Sequence, residues 1–276
     1  MSNPLAFGMA LTSDPDQSLK RLGALCTSLS DSSARSVVPG GVWRYEALVE
    51  ALSTGKLDLA WIPPLLALRA TGKRLASPIA LPVRHGVSTY SSALFTRADS
   101  PIRVTDDLQG VRAAWVDRRS CAGYLVIRAL LRSRGIELKD CFGEERFLGS
   151  HDAVAEAVMS GEADVGASYV YLDPDSSTGA AFPQSAGWGK ARAHIIACTG
   201  SIPSDVIAAR TDLPEDDRLA ILEALKADAE GGGPAHTMLG AETFISPTPE
   251  HLEQLVELLS ALEEDDDVPS IRPPHD

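Results

Sequence analysis

Three short stretches combine residue types that can hold an anion. In the first, the apolar run Val111 to Val116 leads into Asp117-Arg118-Arg119-Ser120-Cys121-Ala122-Gly123, followed by a helical stretch from Tyr124 to Ser133. A serine, two small residues and a glycine at a helix start leave several backbone N–H groups accessible, and the helix dipole adds positive potential there. The same residues also spell a plain Ser N-cap, which stabilises the helix and binds nothing; for a lone serine that is the commoner outcome. The second stretch, Gly149-Ser150-His151-Asp152, also precedes a helix, so His151 can donate a hydrogen bond to an oxyanion. A lone histidine at such a place is more often a capping or surface residue. The third, Tyr90-Ser91-Ser92, opens a β-rich run and offers a tyrosine hydroxyl, although an aromatic strand residue usually just packs. Cys121 sits where a helix start can depress a thiol pKa. With no general base beside it, it reads as a small space-filling side chain.

These stretches need a scaffold, and the sequence describes one. Short apolar strands alternate with amphipathic helices, the pattern of parallel α/β units. Strands are expected at Leu5 to Met9, Leu57 to Trp61, Tyr90 to Thr96, Val111 to Val116, Asp164 to Ala167, Ala193 to Cys198 and Asp205 to Arg210. Helices are expected at Asp14 to Leu29, with Asp14 as N-cap and Pro15 at the first position, and at Tyr45 to Ser53. Others follow at Tyr124 to Ser133, Asp152 to Met159, Asp216 to Ala229 and Pro249 to Leu262. Asp173 to Gly189 reads as a loop, and the acidic, Pro-rich stretch from Glu263 to Asp276 as a frayed end.

Composition narrows the function classes. A chain of 276 residues exceeds one small core and fits two lobes. With 38 acidic against 25 basic residues the net charge is −13, which disfavours nucleic acid as a partner. An acidic protein still holds an anion where the positive potential is local. No run is long and apolar enough to span a membrane. Cys26, Cys121, Cys141 and Cys198 are scattered without metal spacing, and the GxSxG, HExxH, P-loop and Rossmann motifs are absent, so no cofactor, metal ligand or catalytic residue is assigned. Met1 to Ala10 lacks the basic and apolar regions of a signal peptide, which makes a cytoplasmic location the expectation, or an extracytoplasmic one for a trimmed chain.

Taken together, the segments resemble the phosphate/phosphite/phosphonate-binding proteins of ABC importers. The run Tyr45-Glu46-Ala47-Leu48-Val49-Glu50-Ala51-Leu52 with Gly55-Lys56-Leu57-Asp58-Leu59-Ala60-Trp61 is similar to their first lobe. Tyr90-Ser91-Ser92-Ala93-Leu94, Asp99-Ser100-Pro101-Ile102 and Asp107-Leu108-Gln109-Gly110 follow in the family's order. Ser120-Cys121-Ala122-Gly123-Tyr124 matches the Ser-Thr-Ser-Gly-Tyr/Phe phosphonate loop, and Gly149-Ser150-His151-Asp152 the Gly-His-Glu/Asp element. Gly161-Glu162-Ala163-Asp164-Val165-Gly166-Ala167 and Ile202-Pro203-Ser204-Asp205 complete the resemblance, which spans Leu5 to Arg210.

The resemblance implies a type II periplasmic-binding fold of two α/β lobes joined by two crossover strands, near Val87 to Thr96 and Ala193 to Ile202. Lobe one would comprise residues 1–86 plus 199–276, and lobe two residues 87–198. A small anionic ligand would sit in the interlobe cleft, with an ABC permease as the implied partner. Ser120, the Cys121, Ala122 and Gly123 backbone and His151 would grip the anionic head, Tyr45 and Tyr90 would line the cleft, and Asp205 would meet the ligand's other end. Two departures stand out. Cys121 and Ala122 replace two hydroxyls of the loop. Tyr169-Val170-Tyr171 stands where importers of aminoalkyl phosphonates carry an acid, which disfavours an ammonium-bearing ligand. A different class of function on the same fold is a cytosolic enzyme of the menaquinone-pathway lyase kind, acting on a small carboxylic acid. A binder returns its ligand unchanged and an enzyme does not.

Overall fold

A computed structural model of the chain describes residues 3–10, 15–43, 45–139, 141–172, 181–248 and 251. In chain order the elements are β1 (Leu5–Ala10), α1 (Pro15–Ser33), β2 (Val37–Trp43), α2 (Tyr45–Ser53), β3 (Leu59–Ile62), α3 (Pro64–Gly72), β4 (Ala76–Val83) and β5 (Thr89–Arg97). There follow β6 (Val111–Trp115), α4 (Val126–Ser133), β7 (Phe142–Phe147), α5 (His151–Ser160), β8 (Val165–Leu172), β9 (Ala181–Ala186) and β10 (Ala193–Cys198). The last are β11 (Ile202–Pro203), β12 (Val206–Arg210), α6 (Glu215–Glu230), α7 (Pro234–Leu239) and β13 (Thr243–Ile245). Two compact units result: Met1–Ser88 with Pro203–Leu252, and Thr89–Ile202.

Unit one holds a sheet ordered β13-β4-β12-β3-β1-β2. Its β1, β2 and β3 are parallel, and β12 returns antiparallel to β3 and β4. Leucines at 22, 25 and 29 recur on one face of α1 and are fully buried, packed with Phe7, Ile221, Leu225 and Phe244. Each such side chain contributes roughly 1.5–3 kcal/mol of transfer free energy. The opposite face is covered by Leu48, Leu52 and Leu66 of α2 and α3.

The sheet of unit two runs β10-β5-β8-β6-β7, with β9 antiparallel on β8. Here β6 is parallel to both β7 and β8, whereas β5 is antiparallel to β8 and β10. Its core joins Phe95, Ala114, Val154 and Val158, and Trp188 packs on Phe95 with ring centroids 4.5 Å apart.

Several elements differ from the sequence expectation. Val37–Trp43 is a strand although it contains Pro39-Gly40-Gly41. It lies at the sheet edge with a register shift opposite Phe7 and Gly8, where proline and a bulge are tolerated. A helix not expected from the sequence, α3, is opened by Pro64 at its first position. Pro78 and Pro82 do not prevent β4, whose pairing with β12 shifts register next to Pro78. Strand β7 reads Phe-Gly-Glu-Glu-Arg-Phe and is mostly exposed, so it shows no apolar pattern. The expected loop 173–189 contains β9, and its residues 173–180 lie outside the described residues. The same holds for Asp14, for the expected helix Pro249 to Leu262 apart from His251, and for the acidic end.

Candidate functional site

Strands β6 and β7 end side by side, Trp115 opposite Phe147, while β8 begins beside the end of β6, Gly166 opposite Ala114, and runs on past it. Ligands of open α/β sheets gather at such ends, where helix N-termini follow the strands. Two of the singled-out sequences leave the sheet here.

The chain turns sharply after Trp115. Val116 N–H donates to Gly123 O (3.2 Å), Ser120 N–H to Asp117 O (3.0 Å) and Arg119 N–H to Asp117 Oδ1 (2.8 Å). Ser120 is indeed an N-cap, with extended backbone (φ −69°, ψ 118°), and its Oγ accepts from Gly123 N–H at 3.0 Å. The next turn, Cys121–Leu125, is π-helical: Leu125 N–H donates to Ser120 O at 2.9 Å and Val126 N–H to Cys121 O. Such widened turns recur at functional sites. Because the Ser120 oxygen already accepts, its own proton remains to be donated. The Ala122 N–H lies in the first turn, ahead of any carbonyl the helix supplies. From β5, the fully buried Ser92 hydroxyl donates to Ala122 O at 2.6 Å. Gly123 is sterically required, since a Cβ there would run into the Val116 side chain and lie 2.8 Å from Ser120 Oγ. Cys121 is buried, in keeping with a space-filling side chain.

The second sequence opens α5. Ser150 caps it by accepting from Ala153 N–H (3.2 Å), and His151 is its first residue. His151 Nδ1 lies 2.7 Å from the hydroxyl of Ser168, a fully buried residue of β8. Burial pushes the His151 pKa down to about 4, with Asp152 a weaker opposing influence, so the imidazole is neutral at physiological pH. Tyr169 meets His151 edge-on (centroids 5.0 Å apart) and Tyr171 meets Tyr169 at 6.2 Å. Gly187 closes over this place: its N–H donates to Tyr169 O (3.0 Å), and a Cβ would strike Ser168 Oγ. Tyr90 is half-buried at the start of β5, next to Ser91, which pairs with Val170.

Unit two therefore brings together Ser120, Cys121, Ala122 and Gly123 through one turn, which β5 reaches through Ser92. His151 joins them through β8 and the strand ends, since Gly149 N–H donates to Val116 O at 2.8 Å. The other two expected residues belong to unit one. Tyr45 opens α2, and its side chain lies outside the described residues. Asp205 is held by the Arg84 guanidinium through two bonds of 3.0 Å, and Trp61 Nε1 donates to the same carboxylate. Arg84 Nε in turn donates to Leu239 O at 2.7 Å. Ser168, Arg84 and the partnering of Trp61 with Asp205 escape sequence reasoning. A serine inside the apolar run Val165–Leu172 was the available signal for Ser168, since buried hydroxyls need partners. Among the described residues no group of His, Cys, Asp and Glu is arranged to hold a metal.

Comparison with known proteins decides the family. The sequence profile of the family described as "ABC transporter, phosphonate, periplasmic substrate-binding protein" matches residues 7–252. The chain belongs to this family. Similar solved structures agree in fold. XAC2383 from Xanthomonas citri, bound to chloride ion, has a TM-score of 0.72 at 20% identity over 95% of this chain and 98% of that chain. PhnD1 from Prochlorococcus marinus, in complex with methylphosphonate, has a TM-score of 0.70 at 19% identity over 95% and 100%. A binding protein component of an ABC phosphonate transporter from Pseudomonas aeruginosa has 0.70 at 18% over 96% and 88%. This phosphonate-binding family member thus has the type II periplasmic-binding fold, and it is a solute-binding protein for a small anion. Its family is one of substrate-binding proteins, not enzymes, that are periplasmic and serve ABC transporters.

Proposed function

We propose that the protein binds a phosphonate- or phosphite-like oxyanion and hands it unchanged to an ABC permease. The observation that carries this reading is the convergence of two helix starts at the ends of β6 and β7, one capped by Ser120 and one opened by His151. The Ser120 hydroxyl, the Ala122 N–H at the start of the turn and a neutral His151 are donors suited to a tetrahedral oxyanion. With Nδ1 engaged by Ser168, the His151 ring is held so that Nε2 is the atom left for a ligand. The methylphosphonate named for PhnD1 indicates the ligand's size and chemistry. Tyr90, near the start of β5 in the same sheet, is the aromatic neighbour assigned to the ligand's substituent. Asp205 is assigned to a supporting role in unit one, because Arg84 and Trp61 already occupy its oxygens. This reading assigns no catalytic residue and no cofactor, and the site of action is the outer face of the membrane that carries the permease.

A thermal-shift panel tests the proposal: phosphate, phosphite, methylphosphonate, methanesulfonate and small carboxylates, against wild type and His151→Ala. A true ligand at 100 times its dissociation constant adds roughly 2.7 kcal/mol of stability, a shift of several degrees. The reading expects a response to a phosphorus oxyanion that His151→Ala abolishes. Responses to carboxylates alone, or chemical turnover of the ligand, would overturn it.

A further inference from the structure

Strand β7 is an odd support for a binding site. It is the last strand of its sheet, its residues are mostly exposed, and it contributes little to the core. Yet both helix starts of the site depend on its position. Leu148 N–H donates to Trp115 O (2.9 Å) and Gly149 N–H to Val116 O (2.8 Å), so the chain entering α5 is laced to the chain entering the Ser120 turn.

Phe142 and Phe147 of β7 pack on Trp115 and Tyr124, and Arg146 pairs with Glu162, but one carboxylate of β7 binds two neighbouring elements at once. Glu145 accepts from Trp115 Nε1 at 2.7 Å and from Arg128 Nη1 at 2.6 Å. Trp115 is fully buried at the end of β6, and Arg128 is buried in α4 with only 8% of its surface exposed. Glu145 therefore joins three elements next to the site: β7, β6 and α4. Around it runs a chain of ring contacts. Arg128 lies over the rings of Tyr124 (4.9 Å) and Trp115 (5.9 Å), Tyr124 meets Trp115 (5.6 Å) and Phe147 (5.1 Å) edge-on, and Arg118 covers Phe147 at 4.7 Å. Tyr124 belongs to the π-helical turn itself, so its ring transmits the position of β7 to the backbone of Cys121–Leu125.

We infer that Glu145 is a positioning residue which, through Arg128, Trp115 and Tyr124, holds the π-helical turn and the start of α5 in the geometry that presents their N–H groups to an anion. It touches no ligand. A wide turn is less favourable than an α-helical one and persists where its surroundings hold it. The buried Arg128 guanidinium needs a carboxylate, and Glu145 is the one that also engages the strand bearing the loop. The affinity part of this inference rests on the proposed function; the geometric part does not.

The test compares wild type, Glu145→Ala, Glu145→Gln and Arg128→Met by two-dimensional amide NMR and hydrogen exchange without ligand, then by titration with methylphosphonate. In Glu145→Ala the amides of Gly123, Leu125 and Gly149 should shift, and exchange of Leu125 N–H, the donor to Ser120 O, should quicken at least tenfold relative to Leu94 in β5. Glu145→Gln keeps an acceptor for Trp115 Nε1 and should recover part of both effects. Methylphosphonate affinity should fall at least tenfold in Glu145→Ala, in step with the amide changes. Arg128→Met should reproduce the loop signature if Glu145→Ala fails to fold. Changes confined to Trp115 and residue 128, with Ser120–Leu125 and Gly149–His151 unmoved, would overturn the inference. If wild type binds no phosphonate the proposed function fails, while the amide readout still decides the role of Glu145.

Discussion

The Ser168 hydroxyl lies 2.7 Å from His151 Nδ1, and it is this pairing of a buried strand serine with the first residue of α5 that orients the imidazole. A neutral, oriented imidazole acts as a fixed dipole, unlike a mobile surface histidine.

Burial of the same imidazole makes stability depend on pH with a definite sign. The folded His151 pKa is depressed to about 4, whereas an unfolded histidine titrates near 6.5. Between those values the unfolded chain binds a proton that the folded chain refuses, so stability falls as pH falls. The contribution is fully present above about pH 6.5 and is lost progressively towards pH 4. Thermal melts across pH 4 to 8 should show a decline at the acid end that is smaller in His151→Gln. Equal slopes in both proteins would place this titration elsewhere.

Ser168→Ala removes the hydroxyl and leaves Nδ1 without that partner. It should destabilise by about 1 kcal/mol, a net hydrogen bond, and weaken methylphosphonate binding by more than that stability loss explains. Denaturant melts and calorimetric titration read the two effects separately. Unchanged affinity would mean that orientation of His151 does not matter.

Gly123→Ala places a methyl group against Val116 and Ser120 Oγ. Overpacking of this kind costs about 1–3 kcal/mol, and relief requires the turn to open, so binding should be lost even where folding survives. Gly189→Ala is the comparison, because a Cβ there meets nothing within 4 Å, although its positive φ of 58° carries some strain. Its binding should stay near wild type in the same titration.

In unit one, Asp205→Ala removes the carboxylate that takes both arms of the Arg84 fork and the Trp61 indole N–H. The side chains are largely buried, 12% and 23% exposed, so the stranded guanidinium should cost about 1–3 kcal/mol. Arg84→Met combined with Asp205→Ala should recover part of that loss in a double-mutant cycle on urea midpoints. Strictly additive losses would show that the pair is uncoupled.

Much of this was legible in the sequence because it is written in local chemistry. The apolar runs of β1, β6 and β12 and the helix signals around α1, α5 and α6 give the α/β class. Ser120 to Gly123 and Gly149 to His151 stand where strand patterns end and helices begin, so their placement at strand ends follows from the chain order. The remainder depends on contacts distant in sequence. Ser168 and His151 meet only because β8 lies beside β6, and Glu145 shows its role only when β7, β6 and α4 are assembled. Strand β7 itself is hidden by its exposure, since an edge strand without a buried face has no alternation to read. Strand β4 is masked by Pro78 and Pro82, and β2 by Pro39-Gly40-Gly41, where a bulge or an edge accommodates what propensity forbids. The π-helical turn, too, is invisible locally: Cys121–Leu125 reads as the plain start of a helix.

The central claim is that the Ser120 turn and His151 hold the anion, and an amide NMR titration of the ligand-free protein with methylphosphonate addresses it most directly. The account predicts saturable shifts, largest at the Ala122 and Gly123 amides and at the His151 side chain, with Ser120→Ala weakening the titration. Saturable binding that leaves those resonances still and moves others would contradict it.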